Sequence, residues 1–188
     1  MKLLDVVVPT YVQMLNALSA WIGKAEAQIP GGQAEALLSA RLASDMYPLS
    51  TQIRFACAQA QEGVFRLQRQ PFPPSVEVLL NEGRNAAERP GSIADARSKI
   101  GETVSLVETA ASNARDMDPA TPIAHALPIG MIFDLTAEQY ARDWALPQFY
   151  FHVMAAYAIL RAEGMELGKA DYVAHMFAYL RPGTMPSY

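Results

Sequence analysis

The chain has 188 residues, 51% apolar and 18% charged, a balance that supports a packed core and lies far from the composition of disorder. A net charge of −4, with no cluster of Lys or Arg, argues against nucleic acid and against acidic membranes, since both need local positive charge. No membrane span is expected, since Asp5 and Pro9 interrupt the apolar start of the chain, and the single cysteine, Cys57, excludes an internal disulfide framework and fits a cytoplasmic, reducing setting. One domain over 1–188 is expected.

The first predicted element runs over 5–28. Val8, Val12, Leu15, Leu18, Ile22 and Ala25 recur there at three- and four-residue steps, the period of a helix with one buried stripe. IPGGQ at 29–33 stops it, and AEALLSARL supplies one or two further turns. A second bundle helix follows in DMYPLSTQIRFACAQAQEGVFRLQRQ, where Leu49, Ile53, Ala56, Ala60, Val64 and Leu67 keep the spacing. It should end before PFPP at 71–74.

VEVLLNEGRNAAE reads as a short extra helix weakened by Gly83. Ser92 followed at the third position by Asp95 resembles a capping box, and Ile100, Val104, Val107 and Ala111 line one face of a third long helix over 93–113. TPIAHAL and MIFDL, separated by Pro128 and Gly130, predict a small hairpin. Thr136 and Gln139 form a T-x-x-Q cap for a helix that carries Pro147 and ends near Gly164, and LGKADYVAHMFAYLRPG adds a last short helix. The architecture expected is all-α: a four-helix bundle with a short extra helix and a small hairpin inserted before the last long one.

Candidate chemistry gathers around the prolines. If Pro48 and Pro147 are flanked by helix on both sides, each frees the carbonyl four residues earlier, and the polar side chains nearby are Asp45, Gln52, Asp143, Gln148 and His152. If each proline instead sits in a first turn, its missing donor costs nothing. Two facing kinks would make a polar pocket of Asp45, Gln52, Gln148 and His152. Gln148 and His152 stand at i and i+4 on one face, with Ala155 and Ala156 leaving space a turn further on. His152 is open to three readings: a satisfied core histidine, a ligand or metal contact, or an acid/base group. His125 and His175 are expected at surface or helix-end positions, and Cys57 as inert packing. No phosphate-loop, dinucleotide-binding, nucleophile-elbow or H-E-x-x-H pattern occurs.

RLASDMYPL at 41–49, TQIRFACAQA at 51–60, LPQFYFH at 146–152, AAYAILRAEG at 155–164 and LGKADY at 167–172, taken together and in order, resemble a family of uncharacterised bacterial proteins, a domain of unknown function within the DinB-like superfamily. The resemblance covers nearly the whole chain. It implies a DinB-like four-helix bundle, usually a homodimer. Better-known members bind a divalent metal ion through three histidines, one from the second helix and two at i and i+4 of the last long helix, and some are thiol-dependent transferases or isomerases.

Matching LRAEG to the superfamily's LR-x-x-G places His152 on the second histidine of that pair and Gln148 on the first. Residues 33–70 contain no histidine, so Asp45 or Gln52 would have to substitute. The expectation is a small-molecule-binding or structural protein with a polar pocket around His152 and no cofactor. The alternative is a metal-dependent enzyme of the thiol-transferase kind, in which His152 ligates the ion.

Overall fold

In the computed structural model, residues 2–112 and 117–184 are described. Helix α1 spans Leu3–Gln28, and a 3-10 segment covers Gln33–Ser39. Helices α2 (Leu49–Leu67), α3 (Pro74–Arg84) and α4 (Ile93–Ser112) come next. Position 113, the expected end of α4, lies outside the described residues. Strands β1 (Pro122–Ala126) and β2 (Ile132–Thr136) pair antiparallel, with His125 opposite Phe133. A composite helix closes the bundle: the short α5 (Ala137–Gln139), a π turn (Tyr140–Ala145) and α6 (Leu146–Ala162). The short α7 (Lys169–Tyr172) and a 3-10 turn (Ala174–Tyr179) finish it.

Helix α2 is central, packed by α1, α3, α4 and α6, while α1 also packs on α4 and α6. This explains why α2 is buried almost all round, from Leu49 and Ile53 through Ala56, Cys57 and Ala60 to Val64 and Leu67. In α1 the buried stripe leans by one residue from the expected one: Val7 and Tyr11 are fully buried, and Val8 and Val12 flank them. By length and apolarity α1 could cross a membrane, but its apolar stripe is spent on the bundle core. Close approach between helices is tightest at Gly63, where an added Cβ would collide with the Tyr11 ring.

The predicted ends hold where local chemistry sets them. Thr136 and Gln139 form both bonds of the capping box, at 3.2 Å and 2.9 Å. Gly164 adopts φ +81, and the Met165 amide donates to the Leu160 carbonyl, the six-residue closure of a left-handed C-cap. The same closure ends α2, where Gln70 N–H donates to Phe65 C=O, but the left-handed residue is Arg69, at φ +53. A side chain in that conformation costs roughly 1 kcal/mol.

Two open readings are decided and one expectation is corrected. Pro48 does not kink α2; it is the residue before the first turn, and its carbonyl accepts from the Thr51 and Gln52 amides. Its missing N–H therefore frees no acceptor, and Asp45 falls in the preceding loop, exposed. Pro147 is accommodated by a π turn, in which Leu146 N–H reaches five residues back to Ala141 C=O. Finally, His125 is buried: β1 alternates, and Ile123 and His125 share its inward face.

Candidate functional site

Packing of α2 against α6 brings together two residues 100 positions apart. His152 Nδ1 lies 2.8 Å from Gln52 Oε1, and Gln52 Nε2 donates across 3.2 Å to the Tyr47 carbonyl. This chain of bonds fixes the chemistry of the ring. A carbonyl can only accept, so the amide nitrogen of Gln52 must face Tyr47 and its oxygen must face His152. Nδ1 therefore carries the proton, and Nε2 keeps its lone pair. Nε2 has no hydrogen bond to a described residue and is not sealed in the core.

Aromatic rings enclose the imidazole. Phe55 and Phe151 each meet it edge-on at 5.3 Å, and Tyr47 extends the wall through Phe55 at 5.6 Å. His152 is half-buried, and burial pushes its pKa down to about 4. At neutral pH the ring is thus an uncharged hydrogen-bond acceptor and a weak base. Tyr47 and Phe151 are exposed, so the site is shallow, with an aromatic rim open to solvent.

Of the other sequence candidates, Gln148 lies half-buried one turn before His152, with no hydrogen bond to a described residue. Asp45 is exposed and bonded to neither Gln52 nor His152. Asp143 is exposed and forms a forked pair with Arg142, both contacts at 2.8 Å. The pocket of Asp45, Gln52, Gln148 and His152 thus reduces to a bonded pair, Gln52 with His152, and the aromatic rings around it. Sequence reasoning misses Tyr47, Phe55 and the Tyr47 carbonyl, although Phe55 stands one turn from Gln52 on α2.

The three-histidine metal arrangement of better-known DinB-like proteins can be tested against these donors. Among the described residues no group of three or more His, Cys, Asp or Glu side chains comes together to hold an ion. His152 supplies one nitrogen, Gln52 uses its oxygen on the opposite ring nitrogen, and Asp45 stands in the loop. Such a set does not fit a zinc or nickel centre.

Elsewhere on α2 a second polar cluster is paired within itself, beside a cleft of about 410 Å³ that Arg54, Glu82 and Asp95 line. Arg54, 3% exposed, donates from Nε to Glu82 at 3.1 Å and from Nη2 to Asp95 at 2.8 Å, and also to Ser50. Lys99 joins both carboxylates, at 2.9 Å and 3.6 Å. Asp95 therefore gives only its amide to the predicted cap, bonded to Ser92 Oγ at 3.0 Å, while its carboxylate turns to Arg54. Cys57 is buried, its thiol pushed up to about 12 by burial, which makes it inert as a nucleophile. His125 packs against Trp144 at 4.3 Å and Tyr140 at 5.4 Å, with neither ring nitrogen bonded to a described residue.

Residues 3–173 match the model of a family described as Domain of unknown function (DUF1993). No curated protein matches the chain. Among solved structures it is similar to a DinB family member protein from Shewanella denitrificans, with 30% identity and a TM-score of 0.70, over 98% of this chain and 96% of that one.

Proposed function

The chain belongs to the DUF1993 family, with a DinB-like helical fold, and from that premise we propose that it is a small-molecule-binding bundle whose contact point is His152. The observation that carries this reading is the relay from the Tyr47 carbonyl through Gln52 to Nδ1 of His152, which leaves Nε2 as an oriented acceptor. A half-buried acceptor beside aromatic rings suits a neutral ligand with one hydroxyl or amide donor and a flat apolar body. A cationic ligand is disfavoured, because no carboxylate of the described residues bonds to the ring.

The test is nitrogen-15 NMR of the histidine rings, with benzyl alcohol as probe. The expected result is the Nδ1–H tautomer for His152 and a saturable shift of Nε2 on titration. Unchanged ring shifts, together with a loss of stability in His152→Ala, would make the residue structural instead. Metal content of untagged protein separates the enzyme alternative: stoichiometric divalent ion in the wild type, lost in His152→Ala, would overturn the binding reading.

A homodimer and a cytoplasmic location belong to the same proposal. Phe151 and Met154, both exposed on α6, supply apolar surface for a second copy, and a monomer mass by light scattering would count against it.

A further inference from the structure

Helix α2 ends in a turn whose left-handed position is usually glycine, yet here it is Arg69. The turn sets Arg69 beside a cleft of about 340 Å³ between the end of α2 and strand β1. Arg66, one turn earlier, lines the same cleft, and its guanidinium lies 4.8 Å over the Phe72 ring. Phe72, Met117 and Ile123 supply apolar wall, and no acidic residue among those described lines the space.

Among the described residues neither Arg66 nor Arg69 forms an ion pair, the Arg66 Nε has no hydrogen-bond partner, and the Arg69 side chain has none at all. The groups that face Arg66 from other positions are Glu62, His125 and Tyr140, whose hydroxyl bonds to the guanidinium. Burial raises the Glu62 pKa despite Arg66 and Arg84, and burial, with Arg66 adding to it, lowers that of His125. Glu62 forms no ion pair with Arg66 among the described residues and does not line the cleft, and His125 is neutral. A local positive site stands on a chain of net charge −4.

We propose that this cleft binds a small organic acid. Its carboxylate or phosphate head sits on Arg66 and Arg69, and its apolar body lies against Phe72, Met117 and Ile123. Guanidinium forks recognise both heads by the same paired N–H geometry, and the cleft volume is that of a small-ligand pocket. The site is separate from His152 and stands independently of the reading given for it.

Calorimetric titration of the full chain tests this, with phenyl phosphate and inorganic phosphate as probes. Phenyl phosphate is expected to bind saturably, and tenfold or more tighter than inorganic phosphate, which lacks the apolar body. Arg69→Gln and Phe72→Ala, both at accessible side chains, should each weaken it by at least fivefold, and added salt should weaken it further. His152→Ala should leave it unchanged. Absence of saturable binding to the wild type, equal affinity in Arg69→Gln, or equal affinity for inorganic phosphate would each overturn the proposal.

Discussion

Gln52 and Arg54 stand two residues apart on α2, roughly 200° around the helix, and the polar clusters they begin end differently. Arg54 meets two carboxylates and a serine, and Lys99 completes the charge balance, so the charges of this cluster are spent on one another. Gln52 spends both ends of its amide on Tyr47 and His152 and passes an unspent acceptor to the far side of the ring. The lesson is that burial and polarity do not by themselves distinguish a knot from a site. The difference lies in whether the last group of the network is bonded.

Arg54→Met is the hardest way to break the first cluster. It removes a buried cation from three elements at once and should destabilise the protein by about 3–4 kcal/mol, read as a fall in the urea midpoint. If the loss is under ~1 kcal/mol, the cluster is surface decoration and the contrast collapses. Burial works against the Glu82 carboxylate, but its bonds to Lys99 and Arg54 outweigh that and lower its pKa. Its contribution is present above the ordinary carboxylate range and is lost as pH falls through the lower, folded value.

Acid should act on the second cluster with a different window. His152 titrates near 4 when folded, against about 6.5 in an unfolded chain. The unfolded state takes up the proton first, so stability is full above pH ~6.5 and declines towards pH 4, by about 3 kcal/mol in all. His152→Gln should flatten that decline. An NMR titration midpoint near the ordinary histidine value would break the desolvation argument.

Gln52→Leu sharpens the comparison at lower cost, since it leaves the Nδ1–H unpaired and should destabilise by about 1–2 kcal/mol, while loosening the tautomer preference seen by nitrogen-15 shifts. The smallest effect is expected at the end of the same helix. Arg69→Gly relieves the left-handed strain but frees the unfolded chain, and the net change in thermal midpoint should correspond to less than about 1 kcal/mol.

Much of the fold is legible in the sequence because its boundaries are local. Prolines, the Thr136 and Gln139 pair and Gly164 act on the backbone beside them and need no tertiary knowledge. The site is legible only in halves. Gln52 and His152 can be singled out, but their meeting depends on how α2 packs on α6, which no spacing within either helix encodes. Asp45 leaves the expected pocket because Pro48 can either bend a helix or precede one, and the structure takes the second course.

His125 departs from its expected surface position although its signal is present. Two residues from Ile123 in a strand that alternates, it has to share the inward face. Arg54 gives no such sign. A lone arginine on a helix reads as solvated until Glu82 and Asp95, on two other helices, are seen to converge on it.

The π turn at Tyr140–Ala145 is, in the language of register, one residue of slack. Every residue removed from a regular helix rotates its downstream part by about 100°, and in α6 that would swing the imidazole away from Gln52. Within the π turn the excess residue can be deleted, with Pro147 replaced by alanine, and the two flanks still meet in phase. The orientation of His152 is thus more exposed to a change of chain length inside α6 than to one just upstream of it.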